Sequence, residues 1–378
     1  MAQVRTTRTG NVDSLRGAAA DRGVSNIHED LLDMFTNEDR SETPLVSMMG
    51  SSKASHINHE WLVDNYRDPG TNNAPEGADF DASQASQMAR RRLGNYTQIF
   101  RETIAVSGTS VAVDTAGVAN EFAFQIKKKV VELRRDIERQ YTLYWPSSAT
   151  NPTGAQAAAV VKDGVDPRHA GSIFTFVGTS YLAHAANGAV QTGLTDYTSA
   201  GGAGGAHVPA TYAPDGTTFV GDAAANVAPT NLGDTINVLM RGMYENGGKP
   251  NVLMTGTAGK VALSAAFTAG GGGGAGVASQ RNIDAMAKKL NIAITSVMTD
   301  FGFDLMLVPN YVMQSFSNAA NVMLAVDTSM VKRAVLRPIF TNKLDDGGDG
   351  KRALIICEET LRVDNPQGVG AVYNIDFS

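Results

Sequence analysis

Residues 117–145 read GVANEFAFQIKKKVVELRRDIERQYTLYW, and the spacing inside this stretch decides the fold. Val118, Phe122, Ile126, Val130, Leu133, Ile137 and Tyr141 recur every three or four residues. At 100° per residue they fall within an arc of roughly 140°. Lys127, Lys128, Glu132, Arg134, Arg135, Glu138 and Arg139 take the rest of the circumference, and the pairs Glu132–Arg135 and Asp136–Arg139 have the i,i+3 spacing that supports a helix locally. The pattern predicts one helix from Gly117 to Trp145, on the order of 40 Å long, which is well beyond the average. Pro146 and the Ser, Thr, Asn and Gly residues after it end the helix. Phe124 and Val131 lie seven residues apart on the charged side. A lone monomer gains nothing by exposing them, which marks both as candidate contacts to a second chain.

Upstream of the helix, residues 59–107 read as a hairpin. Trp61-Leu62-Val63 starts a strand, and Pro69-Gly70, Asn72-Asn73 and Pro75-Glu76-Gly77 are turn formers. Asn95 to Ser107 returns as a strand, with Tyr96, Gln98 and Phe100 on one side and Thr97 and Ile99 on the other. The tip has few large apolar residues to bury, so the hairpin is expected to project. Residues 1–58 read as an arm too polar to make a core of its own. It is expected to be unstructured or to lie on another chain. One short apolar face, Ile27, Leu31, Leu32, Met34 and Phe35, has helical spacing. Thr43-Pro44-Leu45 marks an extended entry, since Pro keeps the residue before it out of the helical region.

Downstream the pattern becomes that of a compact α+β body. Ile173–Val177 reads as a strand. Residues 188–228 are nearly uncharged and rich in Gly, Ala and Thr, an inserted loop. After Pro229 come a helix (Leu232, Ile236, Leu239, Met240, Met243), a strand (Val252–Met254) and a second helix up to Phe267. The tract Gly270–Gly276 reads as a flexible hinge or loop. Short elements follow at Ile292–Val297, Leu305–Val308 and Val322–Val326. The last long strand, Arg352 to Asp364, carries the apolar run Ala353–Ile356, expected to be buried on both faces.

Composition narrows the function. With 43% hydrophobic residues the chain can bury a sizeable core, and its net charge of −6 excludes the basic surplus of a protein that coats nucleic acid. Cys357 is the single cysteine, so no intramolecular disulfide and no Cys-based metal site is available. Its apolar surroundings fit a small buried hydrophobe. No stretch approaches the ~20 apolar residues of a membrane span, and the N-terminus lacks the apolar core of a signal peptide. A soluble protein made in a cytoplasm is expected.

The search for chemistry returns negatives. Gly256-Thr257-Ala258-Gly259-Lys260 follows a strand and opens a helix, but a phosphate loop needs a Gly where Met254 stands and a hydroxyl where Val261 stands. His59-Glu60-Trp61-Leu62-Val63 starts like a zinc-protease helix and fails at the second His. No nucleophile elbow is present. No catalytic, cofactor or metal site is assigned, and the protein is read as a non-enzyme.

The order of parts is arm, projecting hairpin, one long helix, then an α+β body whose last strand returns. It resembles the Hong Kong 97 fold of tailed-phage major capsid proteins. Specific residues sharpen this to a resemblance to the SU10-type major head protein family. They are Thr43-Pro44-Leu45 with Trp61; Asn95 and Gln98-Ile99 running into Val106-Ser107-Gly108-Thr109; and Glu121 and Gln125 opening the helix that carries Glu132-Leu133-Arg134-Arg135-Asp136-Ile137-Glu138. Further along come Thr299-Asp300-Phe301-Gly302, Leu307-Val308-Pro309, Val326-Asp327, Leu336-Arg337-Pro338, Leu344 with Gly348-Asp349, and Glu359-Thr360-Leu361 with Val363 and Asn365.

The resemblance implies an α+β Hong Kong 97-type organisation. Its parts are an N-terminal arm (1–58), an extended loop (59–107), a peripheral domain (108–165) with the spine helix 117–145, an axial domain (166–330) containing the insertion 188–228, and a return to the peripheral domain (331–378). It also implies a structural subunit that self-assembles into hexamers and pentamers of an icosahedral shell, a virion capsid enclosing double-stranded DNA. Implied partners are further copies of itself, a portal, a separate scaffolding protein and a decoration protein, with packaged DNA near the shell and no membrane. Some relatives weld their shells through an extended-loop lysine. No lysine occurs between Lys53 and Lys127 here, so a noncovalent shell is expected. Arg90-Arg91-Arg92 is assigned to an intersubunit contact in preference to DNA, and Trp61 is added as a further candidate contact. Two rivals remain. One is an encapsulin-like nanocompartment, which shares the fold and encloses cargo enzymes. The other is a soluble ligand-binding oligomer.

Overall fold

The computed structural model describes residues 40–64, single positions between 66 and 77, 90–113, 118, 120–144, 167–177, 181–183, 232–245, 247–268, 283–284, 289–290, 296–298, 302–317, 319–344 and 348–373. The face of Ile27 to Phe35, the insertion 188–228 and the Gly270–Gly276 tract lie outside these residues.

The long helix, called α3 below, runs Glu121–Tyr141 and is shorter at both ends than the sequence pattern. Asn120 stops it at the front by accepting the Ala123 N–H at 3.1 Å, as an N-cap does. At the back the Thr142 hydroxyl folds onto the Glu138 carbonyl at 2.8 Å, and the Tyr144 N–H goes to Ser317 instead of to the helix. Twenty-one residues give about 32 Å of helix. The apolar stripe is as read. Leu133, Ile137 and Tyr141 are buried, and Phe122, Ile126 and Val130 pack half-buried against the same core.

That core lies against a four-stranded sheet of order β1-β12-β13-β4. Its members are β1 (Gly50–Lys53), β4 (Gln98–Ser107), β12 (Val331–Leu344) and β13 (Gly350–Val363). Strand β4 alternates, with Phe100, Ile104 and Val106 turned inward and Ile99, Arg101 and Thr103 outward. The return limb from Asn95 is two strands, because β3 (Arg91–Tyr96) pairs with β2 (Asn58–Val63) and β4 pairs with β13. Buried Thr97 separates them. The sheet therefore flows through one residue into a two-stranded hairpin stem.

The second sheet has six strands in the order β5-β14-β11-β6-β10-β9. They are β5 (Tyr181–Ala183), β6 (Val252–Thr255), β9 (Ser296–Met298), β10 (Asp304–Pro309), β11 (Met323–Val326) and β14 (Val369–Tyr373). Strands β6 and β11 are buried at every position, as expected of central strands covered on both faces. Helices α4 (Leu232–Glu245) and α5 (Thr257–Thr268) follow the sequence reading. Ile236, Leu239, Met240, Met243 and Leu263 form a second core with Leu253, Leu305 and Leu307. Strands β7 (Ile283–Asp284) and β8 (Lys289–Leu290) pair with each other. The α4 end turns at Gly247, whose φ of 87° lies in the left-handed region that favours glycine.

Several expectations are corrected. Thr43 is non-helical, as its proline neighbour requires, but Pro44 opens helix α1 (Pro44–Met48) in place of an extended segment, because Pro suits the first helical position. The end of the presumed coreless arm is part of this chain's own fold: Leu45 and Val46 are buried and β1 pairs parallel with Lys332–Val335. Ile173–Phe176 is a buried 3₁₀ turn and no strand. The Thr175 N–H and hydroxyl both close on the Ser172 carbonyl at 3.2 and 2.7 Å, and an apolar run buried all round leaves no periodicity to distinguish the two. In Ala353–Ile356 only Ala353 and Ile355 are fully buried; the run buried at every position is Cys357–Leu361, which contains two glutamates. The last described strand, β14, joins the six-stranded sheet, while β12 and β13 lie in the four-stranded one.

Ile137→Ala is expected to lower unfolding free energy by about 2–5 kcal/mol, the range for truncating a fully buried large aliphatic. Lys128→Ala on the exposed side should change it by less than about 0.5 kcal/mol. Denaturant titration of the unassembled protein followed by circular dichroism measures both.

Candidate functional site

The part of the structure that joins its elements is polar and buried, and it begins at Glu138. Glu138 has no exposed surface. Its carboxylate accepts the N–H groups of Leu45 at 3.0 Å and Val46 at 2.8 Å and the Asn310 side-chain amide at 2.6 Å. Thr43, at the N-cap of α1, makes no side-chain cap. A glutamate from α3 therefore satisfies first-turn donors that a helix start normally leaves bare. Asn310 in turn caps helix α6 (Tyr311–Ser315) by accepting the Val312 and Met313 N–H groups at 2.9 and 3.2 Å. One carboxylate thus ties the incoming segment, the long helix and the loop after β10.

Two further glutamates stand on β13. The Glu359 carboxylate accepts the Tyr141 hydroxyl at 3.0 Å and faces Arg333 at 3.5 Å. Glu358 accepts the Thr97 hydroxyl at 2.9 Å and pairs with Arg337 at 2.9 Å and with Arg168. Arg168 also donates to the Thr97 carbonyl, which holds the pivot between hairpin stem and sheet. Asn95 completes the pivot: its side chain accepts the Gly171 N–H at 2.8 Å and donates to the Leu361 carbonyl at 2.8 Å. Cys357, on the same strand, is buried, and desolvation pushes its thiol up to about 12. It is inert as a nucleophile.

A groove of about 240 Å³ runs between α3, β4 and α6, lined by Glu102, Glu132, Arg135, Asp136, Arg139 and Phe316 among others. Lys129 spans Glu102 at 3.1 Å and Glu132 at 2.5 Å. Arg135 stacks over the Phe316 ring, 5.6 Å from its centre, and Arg139 donates to the Phe316 carbonyl at 3.0 Å. Partial desolvation in the groove, then the charge of Glu102, holds the Asp136 carboxyl above the ordinary range, with Arg139 and Arg135 opposing and Glu132 adding to the shift. Burial does the same to Glu138 and Glu359, opposed by their hydrogen bonds and, at Glu359, by Arg333. Among the described residues no group of His, Cys, Asp and Glu is arranged to hold a metal ion, and no helix is long and apolar enough to cross a membrane.

The residues singled out in the sequence are dispersed. Trp61 is 7% exposed. Its indole N–H donates to the Val363 carbonyl at 2.9 Å and its ring meets Phe176, so it is a core residue that roots the hairpin and presents little surface to a neighbour. Arg90 pairs with Asp64 and Arg92 with Glu60 at 3.3 Å, both on the exposed stem; the Arg91 side chain lies outside the described residues. Phe124 and Val131 are half-buried on α3. Asn95, Glu138 and Glu359 enter the sequence reading as residues of the family pattern without a role, and Glu358 and Asn310 do not enter it; Glu138 is buried although its place on the helical wheel is on the charged side. The available signal is the polar run Glu358-Glu359-Thr360 directly after the apolar run Ala353–Cys357.

Residues 5–376 match the SU10 major capsid protein family. A 99-residue stretch, 26% of this chain, is 30% identical to the major capsid protein of Escherichia phage Phieco32 and spans 28% of that protein. The fold is similar to that of the capsid of a native GTA particle, with a TM-score of 0.54 at 12% identity over 95% of this chain and 99% of that one. It is also similar to a chain of Microbacterium phage Oxtober96, with a TM-score of 0.51 at 12% identity over 95% and 98%.

Glu138→Ala leaves the Leu45 and Val46 N–H groups and the Asn310 amide without their acceptor, at about 1–3 kcal/mol for each buried group left bare. Faster hydrogen exchange confined at first to residues 44–54 is the expected signature. A folded-state carboxyl raised above its unfolded value contributes stability that is present at acid pH and lost as pH rises through the raised value. Asp136→Asn mimics the protonated form, so it should raise Tm at pH 7–8 and leave it unchanged below about pH 4. Thermal scans across pH measure this.

Proposed function

The chain belongs to the SU10 major capsid protein family, and from that premise we propose that it is the repeating subunit of a phage head. It self-assembles into hexamers and pentamers of an icosahedral shell around packaged double-stranded DNA. The observation that carries this is the family match along nearly the whole chain, supported by a fold shared with a capsid over almost its full length. Its work is mechanical, and the polar joints suit that work.

In this reading the stem β2–β3 is the base of the extended loop that overlaps a neighbour, α3 is the spine, and the six-stranded sheet with α4 and α5 belongs to the axial domain. The four-stranded sheet with α3 forms the peripheral domain. Trp61, Asn95, Thr97 and Arg168 fix the angle at which the loop leaves the body. Arg90, Arg91 and Arg92, together with Phe124 and Val131, are the contact positions toward neighbouring copies. A portal and a separate scaffolding protein are the further partners, and assembly takes place in the host cytoplasm. With no lysine between Lys53 and Lys127, the shell is held without isopeptide bonds from this loop.

Negative-stain microscopy of the expressed protein with its scaffold should show closed shells or tubes, and purified virions should contain DNA. Small oligomers only would overturn the reading, and enzyme-filled particles without DNA would replace it with the nanocompartment. Mature particles boiled in detergent should run as a single monomer band with no ladder. Reversal of charge at Arg90, Arg91 and Arg92 should abolish particles while the far-ultraviolet spectrum of the subunit stays unchanged.

A further inference from the structure

The hairpin stem meets the body along one seam. Strands β2 and β3 pair His59 with Asn95 and Trp61 with Leu93, and residues directly opposed across an antiparallel pair project to the same side. On that side Trp61, Leu93 and Asn95 are buried. Two hydrogen bonds tie them to the end of β13: the Trp61 indole N–H donates to the Val363 carbonyl at 2.9 Å, and the Asn95 amide donates to the Leu361 carbonyl at 2.8 Å. His59 stands in the same row, its ring centre 5.8 Å from that of Trp61. Its Nε2 is buried and has no hydrogen-bond partner among the described residues. The row thus holds one titratable nitrogen, and the hydrogen bonds around it pass it by.

The surroundings of that nitrogen do not accommodate a second ring proton. Arg362 and Asp364, on either side of Val363, are the groups whose charge reaches it. Asp364 is already committed, since it accepts Arg362 Nε at 2.5 Å and Lys332 Nζ of β12 at 2.6 Å. Two cations against one carboxylate leave that corner net positive. The turn Ile173–Phe176, which meets Trp61 through Phe176, carries no charged residue, and Asn95 across the stem is neutral. Glu60 is paired with Arg92, and Arg168 at the far end of the seam with Glu358. An imidazolium here would be buried without an acceptor and would face an unneutralised cation, and each of these is a cost. Burial first, and then Arg362, hold the imidazole below its ordinary range, with Asp364 opposing. We propose that this seam is an acid-labile joint: a proton on His59 Nε2 releases the stem from β13 while α3 and the four-stranded sheet stay folded. A histidine lowered in the folded state contributes stability that is present above its unfolded value of about pH 6.5 and is lost as pH falls through the lowered one. The body responds in the opposite sense, because the carboxyls of Asp136, Glu138 and Glu359 are raised. Acid therefore loosens the seam and spares the core beneath α3.

The joint is a property of the single chain, so it is tested on the unassembled full-length protein, and its failure leaves the shell-subunit reading standing. Trp145→Phe makes Trp61 the single tryptophan. In that background, acrylamide quenching of Trp61 fluorescence is followed from about pH 8 down to about pH 5, the range in which histidine titrates. The quenching constant should rise by about twofold or more as the stem opens locally, with the far-ultraviolet spectrum unchanged. His59→Gln, which keeps a neutral polar side chain at every pH, should abolish the rise. A flat profile, or the same rise in His59→Gln, overturns the proposal. Loss of helical signal in step with the quenching also overturns it, since the body would then be opening with the stem. Where His59→Gln leaves Trp61 open at every pH, Arg362→Gln decides. That substitution leaves Asp364 with Lys332 alone and so able to pair with the imidazolium, and the rise should vanish or move to lower pH by about one unit. An unchanged midpoint in Arg362→Gln sinks the idea.

Discussion

The carboxylate of Glu138 is the constraint on which the rest of the fold depends. It is buried, and three hydrogen-bond donors satisfy it. Two of the donors are the first N–H groups of α1, which without it would be buried and bare. A buried charge with one donor removed becomes an uncompensated cost, so α1, α3 and the Asn310 loop have to assemble together. That coupling places β1 next to β12 and so sets the first strand of the four-stranded sheet. A helix of five residues with no side-chain cap of its own has little independent stability. Its presence follows from α3.

The same strategy recurs on β13. Glu358 and Glu359 are consecutive, so they point to opposite faces of the sheet. Glu359 reaches Tyr141 on α3, and Glu358 reaches Thr97, Arg168 and Arg337 at the root of the hairpin. Helix and hairpin are therefore referenced to one strand, one on each side. Charge-assisted hydrogen bonds have narrow geometry, and a subunit that must repeat the same angles in many copies benefits from joints that tolerate one arrangement. The apolar core beneath α3 contributes most of the burial, and the glutamates contribute direction.

Much of this was legible in advance. The stripe of α3, together with α4, α5, β6, β10 and β11, appears where the apolar pattern puts it, because an amphipathic pattern long enough to repeat leaves little ambiguity. Short pieces were less legible. Ile173–Phe176 is apolar at a length where strand and turn look alike, and Thr43-Pro44-Leu45 contains a proline that is equally at home in an extended entry or at a helix start. Trp61 reads as a sticky surface aromatic on a thin hairpin until Val363 and Phe176 are brought to it from 302 and 115 residues away.

The sequence by itself determined the family, the long amphipathic helix and the absence of lysine between Lys53 and Lys127. These depend on residue identity and local spacing, which a linear chain carries in full. Only the tertiary structure decided that Glu138 is buried, that β13 holds helix and hairpin from opposite sides, and that His59 Nε2 lies buried without a partner in the seam between stem and body. Such properties arise where segments distant in sequence meet. A glutamate on a helix has the same local pattern whether water or a second helix's N–H groups stand before it.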